Sequence, residues 1–126
     1  MNIRCGMDII EIDRVNKALL RHGNSFIERV FTPEEISFCQ SRGKASLQSF
    51  AARFCAKEAV SKALGTGITK GVSFKDIEIV NDENGKPIVI LHNEAKACFE
   101  KMGARSIDVS LTHCRQYAAA QAVILV

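Results

Sequence analysis

Apolar and polar positions along this chain fall into two regimes, helical spacing early and strand-like alternation late. The opening Asn2 to Ile12 reads as a strand, and Asp13 is placed to cap a helix over Arg14 to His22 that Gly23-Asn24 stops. A second short helix is expected over Ser25 to Val30. Thr32-Pro33-Glu34-Glu35 then supplies a capping threonine, a proline at the first helical position and a glutamate three residues after the cap, so a helix follows to about Ser41. The polar stretch Ser41-Arg42-Gly43-Lys44 separates it from a long helix, Ala45 to Leu64, which Gly65-Thr66-Gly67 terminates.

Past the glycines the pattern turns to strands. Phe74 to Val80 predicts a strand, Asn81 to Lys86 a polar turn around Asn84-Gly85, and Pro87 to Leu91 the hairpin partner. Asn93 to Met102 predicts a helix ending at Gly103, and Ser106 to Thr112 and Tyr117 to Val126 predict a second hairpin around His113-Cys114-Arg115-Gln116. With no internal repeat or low-complexity stretch, this order predicts a single α+β domain over residues 1–126, a mostly antiparallel sheet packed by the long central helix. On the last strand Ala118, Ala120 and Ala122 make a flat face fit to lie under that helix. The opposite face carries Tyr117 and Gln121, which would pair across a subunit interface if that face is covered.

Composition narrows the classes. At 126 residues the chain can bury a real core but not two enzyme domains, so a site must be shallow or shared between subunits. No apolar stretch approaches the roughly 20 residues that span a bilayer, and there is no basic-flanked apolar leader, so a soluble, cytoplasmic protein with no membrane partner is expected. The five cysteines form no C-x-x-C pair, which points to reduced thiols, most simply buried as small hydrophobes. A net charge of +3, one tyrosine and no tryptophan give no support for nucleic acid as a partner.

The densest chemistry lies in the long helix. Glu58, Lys62 and Gly65 fall at i, i+4 and i+7 and share a face, with Phe50, Phe54 and Leu64 anchoring nearby. Glu58 with Lys62 could be a simple helix ion pair. Far upstream, Asp8 interrupts an apolar strand in Cys5-Gly6-Met7-Asp8-Ile9-Ile10, either as a turn or capping acid or as a partner for that pair. Two carboxylates from separate elements beside a lysine could hold a hard divalent cation against a phosphate. Gly65-Thr66-Gly67 reads first as a helix stop; as a phosphate loop, Lys62 and a nest of N–H groups would have to overcome the helix dipole. His113 at a strand end is either a structural histidine or a site residue. Arg14, Lys17 and Arg21 form a basic stripe, either a solvated face or a landing site for an acidic protein.

Taken together, Gly6-x-Asp8-Ile9-Ile10-Glu11-Ile12, Phe31-Thr32-x-x-Glu35, Arg53-Phe54-x-Ala56-Lys57-Glu58-Ala59-x-x-Lys62-Ala63-Leu64-Gly65-Thr66-Gly67 and Ser110-Leu111-Thr112-His113 resemble the holo-[acyl-carrier-protein] synthase family, the short bacterial 4'-phosphopantetheinyl transferases. The resemblance runs from end to end in order and length. It implies transfer of the 4'-phosphopantetheine arm of coenzyme A to a serine of apo acyl carrier protein, a magnesium requirement, and a homotrimer with sites between subunits. By motif, Asp8 and Glu58 would ligate magnesium and act in catalysis with Lys62, while Lys62, Gly65 and Thr66 would lie near the coenzyme's phosphates. Arg53 and His113 match coenzyme-binding positions, one or both supplied by a neighbouring subunit, and Arg14, Lys17 and Arg21 match the helix that receives the carrier protein. The sequence departs at Cys5-Gly6-Met7, where a glycine-rich lead-in is common, and at Cys55, where alanine is. Ile10 stands where the larger, surfactin-synthetase type of transferase has a third acid, which favours the short type and a water as third metal ligand. A broader-specificity transferase and a non-catalytic carrier-binding module are the alternatives.

Overall fold

A computed structural model describes residues 1–69 and 71–126. Strand β1 (Ile3–Glu11) leads into α1 (Ile12–His22), α2 (Asn24–Val30), α3 (Pro33–Ser41) and the long α4 (Ser46–Leu64). The hairpin β2 (Ile77–Asn81) and β3 (Pro87–Leu91), helix α5 (Asn93–Lys101), and strands β4 (Ser106–His113) and β5 (Tyr117–Leu125) follow. The described strands form two antiparallel sheets, one ordered β1-β5-β4 and one of β2-β3. The α+β expectation is met.

Local signals decided most of the boundaries. Thr32 caps α3 in a full capping box: its side chain accepts from the Glu35 amide, and its own amide donates to Glu35 Oε1. Gly65 closes α4 in the left-handed region at φ 84°, a conformation that costs other residues a clash at Cβ. Asp13 is not the cap of α1: helix geometry begins at Ile12, two residues before the expected Arg14, Glu11 takes the cap position without a side-chain bond, and Asp13 sits in the first turn beside Lys17. The expected strand from Phe74 starts only at Ile77, because Ser73 and Asp76 cap one another across a short 3₁₀ turn, Phe74–Asp76. The start of the long helix is likewise tightened into a 3₁₀ turn over Gly43–Ala45.

Helix α4 is buried almost all round, which is why its sequence carries alanines on several faces rather than one apolar stripe. The β1-β5-β4 sheet lies on one side of it, with Ala118, Ala120, Ala122 and Ile124 of β5 facing inward as the alternation predicts. Contact with β1 is closest at Gly6, where a Cβ would stand 1.8 Å from the Ala59 carbonyl oxygen and 2.7 Å from the Ala63 nitrogen. Neither obstacle is a flexible side chain, so only glycine fits.

On another side of α4, Lys57 is fully buried. Its ammonium donates to Glu35 Oε1 at 2.7 Å and to the carbonyls of Phe74 at 3.0 Å and Ile77 at 2.7 Å. Glu35 also accepts the Ile79 amide at 2.8 Å, so this pair ties α3, α4 and β2 together with its polar groups satisfied. Burial drives the Lys57 pKa down, and Glu35 opposes the shift. Of the cysteines, Cys39 and Cys55 are buried as expected, and burial raises their thiols to about 11 and about 12. Cys5 and Cys114 are exposed, contrary to the simple packing expectation, because they fall on the outer face of β1 and in the β4–β5 turn.

Gly6→Ala should destabilise the fold by at least about 3 kcal/mol, because a helix backbone cannot retreat cheaply from a new Cβ. Urea unfolding tests this, and a parent-like midpoint would contradict it.

Candidate active site

The packing of β1 on α4 brings together residues more than fifty positions apart in sequence. Gly6, Asp8 and Ile10 share the helix-facing side of β1, so the contact that excludes a side chain at Gly6 also sets Asp8 against the α4 face bearing Glu58 and Lys62. Lys62 Nζ lies 3.2 Å from Asp8 Oδ1 and donates to the Met7 carbonyl at 2.9 Å. Asp8 and Glu58 line one pocket of about 360 Å³. Partial burial raises the Glu58 pKa, the Asp8 charge raises it further, and Lys62 pulls it back. Two carboxylates thus face one opening, with Lys62 paired to Asp8 and its charge felt at Glu58. No cluster of three or more potential metal-binding side chains exists among the described residues.

The rest of that pocket is apolar, with Val15, Ala18, Phe26 and Phe54 along its wall and the Phe26 and Phe54 rings stacked at 6.4 Å. Arg14 borders it and also borders the adjoining groove that carries Lys17, Arg21 and His22. The basic stripe is therefore continuous with the acid pair. Lys17 is partly neutralised by Asp13 at 3.1 Å, an exposed pair of small energetic weight.

The end of α4 bears on the phosphate-loop reading. The Gly65 amide donates to the Lys62 carbonyl, and the Thr66 and Gly67 amides both donate to the Ser61 carbonyl. These N–H groups close the helix and form no open nest. The Thr66 hydroxyl donates to the Gly67 carbonyl.

Arg53 and His113 lie elsewhere. Arg53 precedes Glu58 by five residues, about 140° round the helix, and with His113 it lines a separate cleft of about 460 Å³ between α3, α4, the β2–β3 turn and β4. Arg53 is 5% exposed, stacks over the Phe38 ring at 4.2 Å, and donates to Asn81 Oδ1. Arg42 and Leu111 line the same cleft. Sequence reasoning missed Arg42, which stood in an apparent linker, and missed Phe26 as a wall of the acidic pocket. Phe26 carries no signal short of the helix packing itself; Arg42 could have been noticed as a cation just past the end of α3.

Comparison with known proteins identifies the family and the fold. Residues 4–122 match the model of the 4'-phosphopantetheinyl transferase superfamily. Holo-[acyl-carrier-protein] synthase of Ruminiclostridium cellulolyticum is 52% identical over 98% of this chain and 92% of its own length. The crystal structure of Helicobacter pylori holo-[acyl-carrier-protein] synthase in complex with coenzyme A superposes with a TM-score of 0.82 at 34% identity, over 96% of this chain and 97% of that one. The Bacillus anthracis synthase structure in complex with CoA (3',5'-ADP) gives 0.78 at 40% identity, covering 96% and 94%.

A raised carboxyl pKa fixes the sign of a stability effect at Glu58. The fold favours its protonated form, so the stability linked to it is present below the unfolded carboxylate pKa and lost as pH rises through the folded value. Glu58→Gln should therefore melt at a higher temperature than the parent near neutral pH in the presence of a chelator, and the gap should close in acid. Melting curves at two pH values decide it; an equal or lower melting temperature at neutral pH would contradict the reading.

Proposed function

The chain belongs to the 4'-phosphopantetheinyl transferase superfamily, and on that premise we propose that it transfers the 4'-phosphopantetheine arm of coenzyme A to a serine of apo acyl carrier protein. The products are holo acyl carrier protein and adenosine 3',5'-bisphosphate, and the reaction serves fatty acid biosynthesis in the cytoplasm, in one transferase domain over residues 1–126. The observation that carries this reading is the meeting of Asp8, with Lys62 paired to it, and Glu58 at a pocket that shares Arg14 with the basic groove of α1. The names of its relatives and the coenzyme A in the Helicobacter pylori and Bacillus anthracis structures support it.

Asp8 and Glu58 fit magnesium: they are hard oxygen donors, and the charge of one already raises the pKa of the other. Magnesium held there would neutralise charge on the coenzyme's pyrophosphate. The serine oxygen attacks the pantetheine-side phosphorus in line, and the bond from that phosphorus to the bridging oxygen breaks, releasing the adenosine-side phosphate. Glu58 takes the serine proton. Lys62 swings from Asp8 to the leaving phosphate and balances its charge. Asp8 holds Lys62 until the coenzyme binds and would be one of the two carboxylates holding the metal. Gly65 turns the chain without a side chain three residues past Lys62, and Thr66 would offer its hydroxyl to a phosphate.

The carrier protein is acidic in this reading and lands on Arg14, Lys17 and Arg21, with an apolar side chain entering the pocket walled by Phe26 and Phe54. Arg53 and His113 hold the adenosine end of coenzyme A for the acid pair of a neighbouring subunit. Their distance from Lys62 supports this: nine residues separate Arg53 from Lys62, roughly 13 Å along α4. The outer face of the β1-β5-β4 sheet supports a homotrimer. Ile3, Met7 and Ile9 are 64–67% exposed there, beside Tyr117, Gln121 and Val123, and such an apolar patch is unusual on a monomer. Gln121 and Tyr117 then find their polar partners across the interface.

Intact-mass spectrometry of apo acyl carrier protein with coenzyme A and magnesium should show the gain of one phosphopantetheine, lost with chelator. Glu58→Gln should nearly abolish the gain and Lys62→Ala should slow it by about a hundredfold or more. Binding without transfer would instead favour a carrier-binding module, and equal loading of peptidyl carrier proteins a broader transferase. Native mass should correspond to three chains, and Ile9→Asp should give inactive smaller species; an active monomer would refute the shared site.

A further inference from the structure

A side chain that the sequence marks only as the start of a polar turn joins two walls of the second cleft. Asn81, the last residue of β2, accepts a hydrogen bond from the Arg53 guanidinium on Oδ1 and donates from Nδ2 to the Gly85 carbonyl at 2.9 Å. Only one orientation of the amide serves both bonds, because the guanidinium offers only donors and the carbonyl only an acceptor. Gly85 sits at φ 82° in the β2–β3 turn and borders the cleft, so the bond from Nδ2 fixes that turn relative to α4. At the other end, Phe38 supports the face of the guanidinium but leaves it free to slide in its plane. The Arg53 Nε is buried without a partner, so the group is held by Asn81 while one of its donors stays unengaged.

We propose that Asn81 is a positioning residue for coenzyme A binding: it aims Arg53 and the Gly85 turn into one geometry and takes no part in the transfer step. This rests on the reading of the Arg53 and His113 cleft as the seat of the coenzyme's adenosine end. Removing the amide frees both walls, so ordering them again falls on the binding step and weakens affinity without altering Asp8, Glu58 or Lys62.

The test is the split between KM and kcat for coenzyme A in carrier loading, with Kd from calorimetry, in Asn81→Ala, Asn81→Asp and Arg53→Ala. Asn81→Ala should raise KM and Kd about tenfold, the loss of a hydrogen bond to a charged group, with kcat within about twofold of the parent. Asn81→Asp keeps the acceptor for Arg53 but loses the donor to Gly85 and sets a carboxylate oxygen against that carbonyl, so it should recover only part of the affinity. An unchanged KM in Asn81→Ala, or a kcat that falls as far as KM rises, overturns the proposal. If Arg53→Ala raises KM and Asn81→Ala does not, only the role of Asn81 fails. If Arg53→Ala also leaves KM and Kd unchanged, the placement of the adenosine end in this cleft fails as well.

Discussion

The close approach of β1 to α4 at Gly6 is the constraint on which the rest of the molecule depends. A strand can lie against a helix with backbone near backbone only where one partner lacks a side chain, and the space a Cβ would need at Gly6 is filled by the Ala59 carbonyl. The alanines of α4 and β5 extend the same logic, because small side chains let the sheet sit low on the helix. With spacing and register fixed, Asp8 two residues on arrives beside Lys62, and the pocket containing Asp8 and Glu58 opens where the flat packing ends.

Helix α4 divides its charged residues by face. Lys57 points into the protein and is satisfied by Glu35 and two carbonyls, while Glu58, the next residue, turns about 100° away toward the pocket. Arg53 takes a third direction, against Phe38 and Asn81. One rigid element thereby sets the positions of core, acid pair and second cleft at once. Functional groups on a buried helix are held more narrowly than groups on loops, which suits a reaction that needs little beyond position and charge.

Legibility followed the range of the interaction. The capping box at Thr32 and Glu35 and the glycine stop at Gly65 involve neighbours in sequence, and the structure repeats them. The cap assigned to Asp13 failed for the converse reason, a local rule competing with the tertiary demand on where β1 ends. The Phe74 strand starts late for a local reason that alternation does not register, the mutual capping of Ser73 and Asp76. Glu35 was visible only as a capping residue; its burial against Lys57 was not, since nothing local distinguishes a buried glutamate from an exposed one.

By itself, then, the sequence determined the order and type of the elements, the inward alanine face of β5 and the small set of chemistry-bearing residues, because period, capping and spacing are properties of contiguous residues. Only the tertiary structure decided that Asp8 pairs with Lys62, that Arg53 opens into a different cleft from Glu58, that the amides after α4 close the helix, and that the apolar outer face of the sheet is left bare. Those outcomes depend on which faces meet when strand and helix pack, and that is settled by steric fit between segments far apart in the chain.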